Sequence, residues 1–138
     1  MPQARATSEA NATRFIDRVQ RGRQVWGLAS KAGEWAFCPS QDVKDAQVLV
    51  FWSDRADAAQ QVKDEWREYE PTPITLDLFA GKFLKVMQDG GLLVGPNWDA
   101  HLRGLELKPQ DLARRLETDG KATNPLSAIA RPERSKTV

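Results

Sequence analysis

Two clusters in this chain carry residue types able to do chemistry. Trp52-Ser53-Asp54 sets a hydroxyl between an indole and a carboxylate, directly after the apolar run Val48-Leu49-Val50-Phe51. At a strand-to-helix turn such a group would line a pocket, with backbone N–H groups turned toward an anion. The plainer alternative is that Ser53 caps the helix and Trp52 packs beneath it. A nucleophilic serine has less support, since Ser53 lacks the Gly-x-Ser-x-Gly elbow. The second cluster is Gly95-Pro96-Asn97-Trp98-Asp99, followed by His101. A loop of this composition after an apolar strand is suited to recognition, because a rigid scaffold holds it. The alternative is a turn in which Asn97 bonds its own backbone and Trp98 covers the core. His101, the only histidine, would serve as a general base beside Asp99, or stand exposed and idle.

The remaining reactive types add little. Cys38 is the sole cysteine, which rules out an intramolecular disulfide and any paired-cysteine metal site, and it reads as a buried structural thiol. No ligand-spaced group of His, Cys and carboxylates occurs, so neither a metal nor a cofactor is expected, and no residue is assigned a catalytic role. Arg14, Arg18 and Arg21 share a helical face, with Arg23 close by. This strip would touch phosphates or an acidic partner, or simply form a solvated face. Asp64, Glu65, Glu68 and Glu70, near Trp66 and Tyr69, read as solvent-facing. Gly90-Gly91 follows a helix instead of opening one, so it is not a phosphate-binding loop.

The chain that must position these groups has 138 residues, a length that fits one domain. Lys and Arg number 20 against 19 Asp and Glu, so no general pull toward nucleic acid or an anionic membrane is expected. No apolar run approaches the roughly 20 residues that span a bilayer, and the N-terminus lacks the apolar stretch of a signal peptide. A soluble, cytoplasmic setting is the expectation.

Hydrophobic periodicity then orders the elements. Residues 1–7 are expected to be flexible. Thr7 or Ser8 caps a helix whose buried stripe is Ala12, Phe15, Ile16 and Val19, at the i, i+3, i+4, i+7 spacing, with Gly22 as its stop. Residues 24–28 and 34–38, joined by Ser30-Lys31-Ala32-Gly33, read as a β-hairpin. Residues 48–51 read as a strand covered on both faces. A second helix follows with Ala59, Val62 and Trp66 on its buried side. A strand at 74–76 precedes a third helix capped by Asp77 and ended by Gly90-Gly91, and a strand at 92–94 follows. Residues 102–107 would supply an edge strand, and Pro109 opens a last helix through Leu112 and Leu116. The expectation is one α+β domain over residues 8–118, with a mixed or mostly antiparallel sheet of four to six strands and three or four helices packed on it. Residues 119–138 are expected to be a disordered polar tail.

The ordered run of Trp26-Gly27-Leu28, Phe51-Trp52-Ser53-Asp54, Ile74-Thr75-Leu76 and Asp89-Gly90-Gly91-Leu92-Leu93-Val94-Gly95-Pro96-Asn97-Trp98 resembles the bacterial domain-of-unknown-function family numbered 2750 over about residues 10–117. The resemblance implies a small single-domain bacterial protein and carries no activity with it. Two functions stay open. One is a non-catalytic protein-interaction module, an adaptor or an immunity-type inhibitor, supported by many aromatics, charged faces of both signs and no catalytic constellation. The other is a small-ligand binder or enzyme with a pocket near 52–54 and 95–101, built by Trp26, Trp52, Ser53, Asn97, Trp98 and Asp99. Burial of Trp52 and Trp98 in packing contacts would favour the first. Their convergence on a concave pocket with inward polar groups would favour the second.

Overall fold

A computed structural model describes residues 2–123 of the chain. The first helix, α1 (Pro2–Gly22), begins ahead of the cap expected at Thr7 or Ser8. Its stripe is as read: Ala12, Phe15, Ile16 and Val19 are all buried. The stop is made by Arg23 instead of Gly22. Arg23 takes a φ of +59°, and its N–H returns to the Val19 carbonyl at 2.8 Å.

The strands are β1 (Gln24–Ala29), β2 (Phe37–Pro39), β3 (Gln47–Phe51), β4 (Glu70–Thr75) and β5 (Leu93–Pro96). They form a two-stranded sheet, β1-β4, and a three-stranded sheet, β2-β3-β5. β1 pairs antiparallel with β4, β2 pairs antiparallel with β3, and β3 pairs parallel with β5. The sheets meet where Trp26 and Trp52 exchange backbone bonds, Trp26 N–H to Trp52 O at 2.8 Å and Trp52 N–H to Trp26 O at 2.7 Å. The fold is therefore α+β and mostly antiparallel, with strands divided between two bridged sheets.

The hairpin expected between residues 24–28 and 34–38 survives as a turn with a bridge at Ala29 and Trp35. Beyond it the chain changes partners. β1 takes β4, from much later in the sequence, and β2 takes β3. Residues 102–107 touch β5 through one bridge, Val94 to Leu107, instead of adding a strand.

β3 is central, as its continuous apolar run requires. Its alternate residues face opposite ways. Phe51 enters a core with Phe15, Phe79, Leu84 and Leu112. Val48, Val50 and the next residue, Trp52, enter a second core with Leu28, Ala58 and Trp98. One sheet thus separates two apolar layers, and Trp52 belongs to the second because it follows the strand's period of two.

The helices differ from expectation in detail. α2 (Arg55–Ala59) is one short turn, and a separate 3₁₀ turn holds Asp64–Trp66, so the stripe through Val62 and Trp66 is not helical. Residues 76–89 form a single helical run: α3 (Leu76–Leu78), a π turn at Phe79–Phe83, and α4 (Leu84–Asp89). Its cap is Thr75, whose hydroxyl accepts from Leu78 N–H at 3.2 Å, and not Asp77, which pairs with Arg23 instead. Gly91 closes the run at φ +72°. The last helix, α5 (Pro109–Thr123), opens at Pro109 as read and continues past the boundary expected at residue 118. The rest of the expected tail, 124–138, lies outside the described residues.

Candidate functional site

Four of the six residues singled out from the sequence meet in one buried joint behind β3 and β5. Both strands end here side by side, because they are parallel and in register from Val48 with Leu93 to Phe51 with Pro96. Asn97 leaves β5 at φ +50°, a conformation Asn tolerates better than most residues. Its own N–H bonds Phe51 O at 2.9 Å, and its side-chain oxygen accepts Ser53 N–H at 2.8 Å. Its amide nitrogen donates to Ser53 Oγ at 3.0 Å and to the Asn11 carbonyl of α1 at 3.3 Å. Asn97 is 2% exposed and Ser53 8%. The side chain therefore bonds across three segments, and not to its own backbone as the turn reading supposed.

Ser53 is corrected by the same geometry. The cap residue of α2 is Asp54, which makes no side-chain cap bond, and the Ser53 hydroxyl is turned to Asn97. That hydroxyl has two hydrogen-bond partners, Asn97 and, at 3.4 Å, the carboxylate of Asp54, which is itself paired with Arg18. Trp52 lies inside the joint, and its indole N–H donates to Trp98 O at 3.0 Å. Trp98 is buried too, with its indole N–H on Leu105 O at 2.8 Å. Trp26 is only partly buried and joins through backbone bonds to Trp52.

Trp98 fits because glycines flank its ring. A Cβ at Gly95 would stand 2.6 Å from the indole, and one at Gly104 would stand 2.3 Å from Cδ1. The ring is pinned by its hydrogen bond and cannot give way cheaply. Gly104→Ala is expected to destabilise the fold by about 1–3 kcal/mol, as overpacking does. A urea midpoint equal to that of the unaltered chain would show that the ring has room to move.

Asp99 shapes the following loop. Its carboxylate accepts the backbone N–H of His101 at 2.8 Å and of Arg103 at 3.1 Å. The carboxylate is thus used on the main chain, and the bond to His101 runs to its backbone and not to the imidazole.

The arginine strip is also engaged. Arg14 faces Asp57, Arg18 bonds Asp54, Arg21 faces Asp17 and Arg23 faces Asp77. Among the described residues no group of three or more His, Cys, Asp and Glu gathers to hold a metal ion. None of their helices is long and apolar enough to cross a membrane.

A broad concavity lies elsewhere, on the open side of the second core. It is a groove of ≈ 720 Å³ between β2, the 61–69 segment and the loop 100–102. Phe37, Trp66, Tyr69 and Leu102 give it apolar walls, and Lys63, Asp64 and Glu65 edge it. Phe37 is 47% exposed, a large apolar side chain left in water. Gln61 lines the groove at 3% exposure and spans to Asp99 O at 3.3 Å through its side-chain N–H. The helical spacing of Val62 and Trp66 does not describe this surface, because 61–69 is neither α-helix nor strand apart from its one 3₁₀ turn. The usable signal was aromatic residues interleaved with acids at Glu65-Trp66 and Glu68-Tyr69.

Cys38 is half-buried in the same groove. Burial pushes its thiol above the ordinary value, and the charge of Glu65 adds to the shift. A raised pKa leaves less thiolate at any given pH, so Cys38 is expected to alkylate slowly near neutrality. Glu65→Gln removes the charge and is expected to speed iodoacetamide labelling at pH 8. An unchanged rate would mean that burial alone sets the thiol.

A protein-family model described as "Protein of unknown function (DUF2750)" matches residues 12–116. No curated protein and no solved structure matches the chain.

Proposed function

The chain belongs to the DUF2750 family, and from that premise we propose that it is a non-catalytic protein-interaction module, of adaptor or immunity type, whose recognition surface is the groove between β2, residues 61–69 and residues 100–102. The observation that carries this reading is the groove itself, where Phe37, Trp66 and Tyr69 offer aromatic surface to solvent. Aromatic side chains in a concave, partly desolvated setting make strong anchors at interfaces. The polar groups first suspected of chemistry support the same reading from the other direction. Ser53 and Asn97 satisfy each other, Asp99 holds its own loop, and Trp52 and Trp98 are packing residues. Joint and groove are coupled, since the chain leaving Asn97 becomes the 100–102 wall. The residues 97–99 therefore act as the groove's support.

The test is affinity capture from bacterial lysate with the full chain as bait and Trp66→Ala as control bait. Direct titration with the purified captured protein follows. The expected result is a partner that binds the unaltered chain and loses at least roughly tenfold in affinity for Trp66→Ala, the scale of an interface hot spot. A partner that binds both equally would remove the groove from the interface. A small-ligand reading is favoured by one feature, the volume of ≈ 720 Å³, which lies within the span of small-molecule sites. A metabolite that raises the melting temperature of the unaltered chain but not of Trp66→Ala would select it.

A further inference from the structure

We propose that this groove and the smaller trough beside it form one docking channel for an extended segment of a partner protein in which an arginine or lysine is flanked by apolar residues. The inference rests on the interaction-module reading and names the chemistry that the surface recognises. The groove of ≈ 720 Å³ and a trough of ≈ 340 Å³ share two walls, Glu65 and Tyr69. A compact ligand would occupy one of them. A chain in extended conformation follows both, passing over the ring of Tyr69.

Charge gives the polarity of the segment. Glu34, Asp64, Glu65 and Glu68 line the two depressions. None of them has an ion-pair partner among the described residues, where the ion pairs join α1 to Asp54 and Asp57 at the start of α2, Arg23 to Asp77, or lie within α1 or α5. The fold neutralises its arginine strip and leaves this acidic rim open. The cations on the rim offset it only in part: Lys31, Lys63 and Arg67, the last turned back onto the Asp64 carbonyl at 2.9 Å, are three against four carboxylates. Trp66 and Tyr69 stand between these carboxylates in sequence. A guanidinium there would meet an aromatic face and a carboxylate together, and both attract it.

Two further groups fit an extended chain. The Gln61 side chain is nearly fully buried and lines the groove, and its amide oxygen has no hydrogen-bond partner among the described residues. A buried acceptor left open costs free energy until a donor reaches it, and a main-chain N–H or a guanidinium supplies one. Phe37, which also lines the groove, offers an exposed ring to an apolar flanking residue.

The test uses the full chain, isotope-labelled, titrated with three capped hexapeptides: Ala-Leu-Arg-Leu-Arg-Ala, the same with Glu for Arg, and the same with Gln for Arg. N-acetyl-arginine amide is the fourth probe. The arginine peptide is expected to shift amides of residues 37–38 and 61–69. The glutamine peptide should bind roughly tenfold more weakly, and the glutamate peptide should bind not at all. In the exposed double variant Glu65→Lys/Glu68→Lys the preference should reverse, with the melting temperature unchanged. Silence from all three peptides overturns the proposal, as does equal binding whatever the charge. Equal affinity for N-acetyl-arginine amide would replace the extended segment by a small cation. A captured partner that still shifts the groove amides when every peptide is silent would sink the charge assignment while leaving the interaction module in place.

Discussion

Trp52→Ala is expected to lower the unfolding free energy by about 3–5 kcal/mol, the range for truncating a buried aromatic side chain. The residue is 1% exposed and is the largest of the fully buried side chains. It completes the face of β3 that carries Val48 and Val50, and packs there with Leu28, Ala58 and Trp98. Its truncation also leaves Trp98 O without the indole donor at 3.0 Å. Trp52→Phe separates the two losses, because most of the packing is kept and the N–H is removed. That variant is expected to cost nearer 1–2 kcal/mol, the scale of an unmet buried acceptor plus a small cavity. Urea denaturation reads both. Equal and small shifts for the two would mean that the core closes over the gap.

Asn97→Ala is expected to cost about 3 kcal/mol, and by a different route. It strips the buried Ser53 N–H of its acceptor and the Asn11 carbonyl of a donor. An unmet buried polar group costs roughly 1–3 kcal/mol. Alanine also sits poorly at φ +50°, a penalty of roughly 1–2 kcal/mol. Asn97→Gly isolates the first term, because glycine accepts that backbone freely. The glycine variant should fall about 1 kcal/mol short of the alanine loss. Hydrogen exchange should locate the damage at the Ser53 amide. An Ala variant as stable as the unaltered chain, with Ser53 still protected, would mean that water or another group takes over the bonds. Because the chain runs from Asn97 into the 100–102 wall of the groove, weaker binding is expected to accompany the loss of stability.

Much of the architecture was legible because it is local. The α1 stripe depends on the helix repeat of 3.6 and appears at Ala12, Phe15, Ile16 and Val19 without knowledge of what covers it. The centrality of β3 follows from four consecutive apolar residues, which only a strand covered on both faces can bury. Gly91 and Pro109 mark helix ends by backbone geometry that each residue carries with it. The family was legible as well, from the ordered motifs between Trp26 and Trp98.

The candidate site was legible only as an inventory. Ser53 before a helix and Asn97 after a strand each have a sufficient local explanation, a cap and a turn. Local reasoning chose these because the competing partner lies 44 residues away. Trp26, Trp52 and Trp98 are unequally spaced and far apart in the sequence. In space they form a chain of bonds, through the backbone of Trp26 and the indole of Trp52.

The sequence by itself determined the α+β class, the positions of the principal helices and central strand, and the residues that must be buried. Those properties follow from periodicity and backbone preference over a few residues. Only the tertiary structure decided which strands pair, that Ser53 and Asn97 bond each other, that the arginine strip is paired, and that an acidic aromatic groove is left open beside β2. These depend on contacts between segments far apart in the chain. Such contacts form when hydrophobic burial and the satisfaction of buried polar groups select one arrangement of whole elements, and no local pattern records that selection.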